Sequence, residues 1–301
     1  MPDHGEPPPG LAPANEHKRE DMNVAQRSTP QWGSSYRLIA SEKWKAKSAA
    51  MGRDVTNALV DYAAPQPGMK VLDLASGTGE PAITIASRVG LEGHVTALDL
   101  SSELLEIAAE RARQRGLTNF SLRQADAHQL PFPDASFDLI TSRFGVMFFE
   151  DAVGALREVF RVLKPSGRAC FLAWGPFDQP YWQTMFGVVA EHAGGLALSP
   201  DGPNPFKFSR QGTLSAVLRD AGFSHVHEET RNVRWSWPGT AEEVWEQARA
   251  VSTPFLPLLE RVPANEWDQL NQRVYQAVNQ YREGDSINFG AVVVLVSGKK
   301  E

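Results

Sequence analysis

The segment Val71 to Ala82, VLDLASGTGEPA, constrains the fold of this chain more than any other stretch. A short apolar run meets a glycine-rich turn and passes into helix-forming sequence. That order points backbone amides into a crevice at a helix N-terminus, where partial positive charge gathers. Gly77, Thr78 and Gly79 fit the glycine pattern of a dinucleotide-binding turn, yet Asp73 precedes them and Glu80 follows. A pyrophosphate seated there would meet both negative charges. A ligand that combines a carboxylate, an amine and a sulfonium has different needs: amides or a cation for its anionic end, acidic groups and carbonyls for its cationic ones.

Around the turn, strand and helix patterns alternate. Strands are expected from Lys70 to Ala75, His94 to Leu98, Phe120 to Ala125, Phe137 to Thr141 and Arg168 to Trp174. Between them, Ala82, Ile85, Ala86 and Val89 repeat at helical spacing, as do Leu104, Leu105, Ala108 and Ala112 after the capping residue Ser101. Val153, Leu156, Val159, Phe160 and Leu163 mark a third helix, which Pro165 and Gly167 end. Pro81 suits a first helical turn, where its missing N–H costs little. Strands alternating with helices of this length predict an α/β fold: a Rossmann-like, seven-stranded, mostly parallel sheet with helices on both faces. Ligands bind such sheets at the carboxyl ends of the strands, near the switch in strand order. Asp73, Asp99, Asp126 and Arg143 converge there.

The 301 residues exceed a single ~150-residue domain. Residues 1–35, Pro-rich and charged, read as a disordered or loosely attached tail, and 36–64 as an N-terminal helical lid. Residues 65–175 form the expected core. After Trp174 the pattern loosens: 176–208 and 239–286 read as insertions that pack together as a helical cap, between a closing helix and strands at 209–238 and 287–301. His225 to Trp237 and Ile287 to Ser297 each read as one long strand.

A net charge of −6 and the lack of a Lys/Arg cluster argue against nucleic acid as partner. A single cysteine, Cys170, excludes an internal disulfide framework and a cysteine-based metal site, and reads as a small core residue. No apolar run reaches the length of a membrane span and no signal core is evident, so a cytoplasmic protein is expected. The sequence carries no information on oligomeric state.

Asp99 lies 22 residues beyond Gly77, at a strand end where a carboxylate meets a ribose. Asp126 at the next strand end can accept from an adenine amino group while the adjacent backbone N–H donates to the ring. Three acidic positions at three successive strand ends form a stronger signal than the glycines.

Together with VTALDLS, QADAHQLPFPDASFDLI, SRFGVMFF and LREVFRVLKPSGRACFLAW, these residues resemble the class I S-adenosylmethionine-dependent methyltransferases, and most closely the ubiquinone/menaquinone-biosynthesis-like branch (methyltransferase type 11). The resemblance runs from about Lys70 to Trp174. It implies S-adenosyl-L-methionine as cofactor, with Asp73 and the backbone of Ala75, Ser76, Gly77, Thr78 and Gly79 on the methionine part. Asp99 would hold the ribose, Leu100 would pack on the adenine, and Asp126 and Ala127 would read its edge. The Arg143 carbonyl would face the amine, and Phe144 to Phe149 would border the methyl group. The helix with Trp44 and Met51 would close the site. Ala75 stands where many of these enzymes have glycine.

The resemblance implies methyl transfer to a small molecule, a displacement in line with the leaving sulfur; the aromatic residues that follow read as a pocket for an apolar or aromatic acceptor, which draws on Phe144, Met147, Phe148, Trp174, Tyr181 and Trp182. No metal is expected: His225 and His227 share a strand face but have no third ligand. No general base is evident; His192, in the first insertion, is a weak candidate. Each residue also has a bland role. Asp73 can orient the turn, Asp126 can be a turn former, and His128 a solvated loop residue. Phe144, Met147, Phe148 and Phe149 can be core, and the aromatics after Trp174 can glue the insertions to the sheet. Two other functions stay open: an NAD(P)-linked oxidoreductase, and a protein that binds adenosylmethionine without catalysis.

Overall fold

The computed structural model describes residues 45–198 and 204–301; the tail and Trp44 lie outside the described residues. Two helices open the described chain, α1 (Lys45–Met51) and α2 (Arg53–Ala63). Then come β1 (Lys70–Leu74), α3 (Ala82–Val89), β2 (His94–Asp99), α4 (Ser102–Gln114), β3 (Phe120–Gln124) and β4 (Phe137–Arg143). α5 (Ala152–Val162) leads into β5 (Leu163–Trp174). The apolar repeats place these helices on the sheet. In α4 the four expected residues, Leu104, Leu105, Ala108 and Ala112, are the buried ones, and the Ser101 hydroxyl caps the helix by accepting from the Leu104 amide at 3.3 Å.

The main sheet has seven strands in the order β3-β2-β1-β4-β5-β10-β6. β1 to β5 pair in parallel, and β10 (Ala291–Lys299) runs antiparallel to both β5 and β6 (Ser224–Val233). The strand order reverses between β1 and β4, so the crevice opens beyond Leu74 and Arg143. α8 (Thr213–Asp220) precedes β6, which forms the edge of the sheet beside β10.

Three strands differ from their sequence readings. β5 begins at Leu163, not Arg168, because Pro165–Gly167 bulges out of the ladder instead of ending it: Phe137 pairs with Leu163 but Leu139 with Arg168. The two long closing strands each break at the same level. β6 gives way to β7 (Ser236–Trp237), and β9 (Ser286–Asn288) precedes β10. β7 and β9 pair with each other and with β8 (Arg282–Glu283) in a small second sheet. Gly290, with φ of 67°, turns the chain between β9 and β10. A hydrophobic pattern of period two cannot show this break, since both sides of it remain extended.

The two inserted segments pack together. α6 (Pro180–Trp182) runs through a π-helical turn, Gln183–Gly187, into α7 (Val188–His192). α9 (Ala241–Val251) starts with a capping box of Thr240 and Glu243, followed by α10 (Leu256–Leu259) and α11 (Trp267–Asn279). Phe255 stacks on Phe186 at 4.0 Å between centroids and on Trp182 at 5.5 Å, so one ring joins both segments. Glu243 also accepts from Lys47 at 2.6 Å, tying α9 to α1. Replacement of Phe255, which is fully buried, by alanine should cost ~3–5 kcal/mol of stability. Denaturant unfolding measures the loss, and amide exchange should rise first in 180–192 and 241–259.

Candidate functional site

At the carboxyl end of β1 the Asp73 side chain is wholly buried. Its register partner on β4 is Thr141, whose hydroxyl donates to Asp73 Oδ1 at 2.7 Å. Asp73 Oδ2 has no hydrogen-bond partner. Burial pushes this carboxyl up to about 7, while Thr141, Ser76 and the Arg143 guanidinium pull it the other way. A buried, half-paired acid is expensive to keep, and it suits a ligand that brings a positive charge.

The glycine turn is fastened to β2. Ser76 donates its amide to the Leu98 carbonyl at 3.0 Å and accepts the Leu98 amide on its hydroxyl at 3.1 Å. Asp99 accepts the Gly77 amide at 2.8 Å and the Ser101 amide at 2.9 Å, and burial raises its pKa. The amide that a pyrophosphate would need on this turn is thus already given to a carboxylate. Thr78 is held by Arg111, which reaches its carbonyl at 3.0 Å and its hydroxyl at 2.6 Å. Glu80 departs from the charge reading of the turn. It accepts from the Thr84 hydroxyl at 2.6 Å and pairs with Arg115 at 3.3 Å, so it serves the first turn of α3.

Beyond Asp99, Leu100 exposes 43% of its surface, an apolar side chain left open beside the turn. Asp126 accepts from the amide of His128 at 2.9 Å and contacts its Nδ1 at 2.6 Å; Ala127 is buried. His128 is therefore no solvated loop residue, since it also meets the ring of Phe149 edge-on at 5.9 Å.

Two close approaches shape the space at the switch. Ala75 has φ of 51° and Phe144 φ of 59°, a region that L residues enter at a cost. A Cβ on Gly145 would lie 2.5 Å from both the Ala75 Cβ and the Ser142 Oγ, so glycine alone lets the turn after β4 rest on the turn after β1. The Phe144 ring lies on Trp174 at 4.4 Å and 13°. Trp174 is also met by Tyr181 at 6.1 Å, Trp182 at 5.1 Å and Trp235 at 5.2 Å. Met147 is packed in the core and Phe148 is half-buried.

The side chain of Arg143 has a contact that sequence reasoning did not foresee. Its Nη1 donates to the Thr56 hydroxyl at 2.6 Å and to the Gly52 carbonyl at 3.3 Å, so the junction of α1 and α2 is moored to the end of β4. The available signal was Gly52 itself, where a Cβ would crowd the guanidinium at 3.2 Å. His192, His225 and His227 are engaged in other contacts. His192 pairs with Glu266 at 2.6 Å and links the inserted segments. His227 meets the Tyr62 hydroxyl at 3.0 Å, and His225 meets Glu301 at 2.9 Å. Among the described residues no group of three potential metal ligands is found, and no helix is long and apolar enough to cross a membrane.

A mostly parallel sheet with this strand order, a glycine turn closed by an acid at β2 and a buried, half-paired carboxyl at β1 mark the class: an S-adenosylmethionine-dependent methyltransferase. The unpaired Asp73 oxygen and the exposed Leu100 fit that cofactor. The chain belongs to the ubiE/COQ5 methyltransferase family, whose model matches residues 48–197. It is 35% identical over 193 residues to the ubiquinone/menaquinone biosynthesis C-methyltransferase UbiE of Rhizobium leguminosarum, covering 60% of this chain and 74% of that protein. It is 40% identical over 171 residues to the demethylmenaquinone methyltransferase of Listeria monocytogenes, covering 54% and 72%. In fold it is similar to the YcgJ protein of Bacillus subtilis, with a TM-score of 0.54 at 23% identity over 82% of this chain and 97% of that one.

Two outcomes are expected at these positions. Folded Asp73 keeps its proton to about 7, whereas the unfolded chain releases it near pH ~4. Between those values the folded state binds more protons than the unfolded, so this group makes stability fall as pH rises. Asp73→Asn should therefore melt higher than the cofactor-free wild type, by a margin that grows up to about pH 7 and then levels off; melting curves across the pH range check it. Gly145→Ala should destabilise by ~1–3 kcal/mol through overpacking, whereas Ala75→Gly should change stability by less than ~1 kcal/mol, relief of φ strain opposing the extra freedom of the unfolded chain. Denaturant midpoints separate the two.

Proposed function

We propose that this chain methylates a ring carbon of a small, oxygen-bearing aromatic molecule of the quinol type. The observation that carries the cofactor half of this reading is the buried Asp73 carboxylate with one unpaired oxygen at the switch point. The acceptor half draws support from the aromatic cluster around Trp174 and from the relatives' names: a C-methyltransferase of ubiquinone/menaquinone biosynthesis in Rhizobium and a demethylmenaquinone methyltransferase in Listeria.

S-adenosylmethionine, when bound, supplies a methyl group on a sulfonium that is itself a good leaving group. The protein's task is then to orient and to exclude water. Asp73 balances the cationic end of the cofactor, and the Arg143 carbonyl faces the same end. The turn from Ala75 to Gly79 holds the methionine part, Asp99 the ribose, and Leu100, Asp126 and Ala127 the adenine. Phe144, at the end of β4, stands with Trp174 where the acceptor ring would lie, with Phe148, Tyr181 and Trp182 around it. Aromatic faces next to a cationic centre contribute ~0.5–2 kcal/mol each. The inserted segments serve as a cap that keeps water from this space. His192, paired with Glu266, is not assigned as a base; a hydroquinone ring is activated by its own hydroxyl groups.

Transfer of labelled methyl to 2-prenyl-1,4-naphthohydroquinone, set against a panel of phenols, amines and thiols, tests the reading. Product on the ring carbon is expected. Transfer only to amines or thiols would replace the acceptor class, and tight cofactor binding with no transfer at all would leave a binding protein. Because the cofactor's positive charge favours ionised Asp73, its affinity should rise as pH climbs through about 7, with proton release on binding. In Asp73→Asn that pH dependence should flatten and affinity should fall ~10-fold or more, as expected for the loss of a charge-assisted contact; calorimetry in buffers of differing ionisation heat reads both effects.

A further inference from the structure

Two indole N–H groups are buried beside the Phe144–Trp174 stack without an acceptor. Trp182 is 5% exposed and Trp235 8%, and neither Nε1 has a hydrogen-bond partner. Buried tryptophans ordinarily find a partner for this N–H, and a donor left without one loses its hydration for nothing. Both rings stand edge-on to Trp174, at 80° and 87°. They come from distant parts of the chain: Trp182 from α6, Trp235 from the break between β6 and β7. Trp235 also meets Phe144 edge-on at 6.3 Å, and Phe144 follows directly on Arg143 at the end of β4. Two unsatisfied donors thus flank one aromatic platform at the carboxyl ends of β4 and β5. The indole of Trp245, in the second inserted segment, is served by the protein: its Nε1 donates to Asn271 at 2.9 Å. An N–H directed at a ring face is a weak substitute for a true acceptor.

We infer that the N–H groups of Trp182 and Trp235 are specificity donors that hydrogen-bond ring oxygen of the methyl acceptor and set which ring carbon faces the cofactor. The inference rests on the acceptor reading above. It also places one of the two donors, Trp235, outside residues 48–197, the stretch that matches the family.

The test uses the full chain loaded with S-adenosylhomocysteine. Anaerobic calorimetry measures binding of 2-prenyl-1,4-naphthohydroquinone and of 2-prenylnaphthalene, which has no oxygen. The variants are Trp182→Phe and Trp235→Phe, plus replacement of each indole by benzothiophene, which keeps the shape and removes the N–H. Hydroquinone affinity should fall ~5- to 10-fold for each lost donor, in the benzothiophene forms as well as the phenylalanine ones. Affinity for the hydrocarbon and for S-adenosylhomocysteine should not change in the benzothiophene forms. Wild-type hydroquinone affinity in the benzothiophene forms, or no preference of the wild type for the oxygenated ring, overturns the inference. Methyl transfer is read separately. Donor-dependent binding without transfer sinks the functional reading and leaves the donors assigned; transfer that ignores the benzothiophene forms does the reverse.

Discussion

A fully buried carboxylate at the point where the strand order reverses governs the design of this protein. Asp73 sits on β1 between β2 and β4, next to the central strand of the sheet. Only Thr141, its register partner, satisfies part of it. The neighbouring groups are then recruited in ways that leave Asp73 half-open. Ser76 turns its hydroxyl to the Asp73 backbone carbonyl, at 2.7 Å, and Arg143 spends its Nη1 on Gly52 and Thr56. A protein selected for stability alone would place an apolar residue here, since burying an unpaired charge works against the folded state. In the proposed function the counter-charge arrives with the cofactor, which offsets this cost.

The second constraint is steric. The turns after β1 and β4 must touch for the crevice floor to close, and both leave their strands with positive φ, at Ala75 and Phe144. Gly145 allows that contact. The same bend that strains Phe144 brings its ring onto Trp174. Strain and stacking are thereby coupled: the backbone conformation at the end of β4 sets where the aromatic platform begins.

Most of the frame was legible because its signals are local. Helix faces repeat every three to four residues, and the residues of α4 that carry the repeat are those that are buried. The acidic residues at or just past the strand ends, Asp73, Asp99 and Asp126, could be picked out for a similar reason: each stands next to a local strand signal. What escaped depends on contacts far apart in sequence. Glu80 finds Arg115 just past the end of α4, and Arg143 finds Thr56 on α2, a partner 87 residues away. The break in both closing strands is of the same kind. Gly290 marks the turn between β9 and β10, but nothing near β6 and β7 marks theirs; β7 leaves the main sheet because β9 supplies its new partner.

The aromatic residues divide along the same line. Phe186, Phe255 and Trp245 are at most 1% exposed and are spent on holding the inserted segments together. Their pattern in sequence is indistinguishable from that of Trp182 and Trp235, and composition alone could only class all of them as pocket or glue. Hydrogen bonding separates them. An aromatic residue whose polar atom is served by the protein, as Trp245 is by Asn271, has completed its role in the fold. One whose N–H is sealed from water and from every acceptor has not. Satisfaction of the polar edge, and not burial of the ring, therefore separates Trp245 from Trp182 and Trp235.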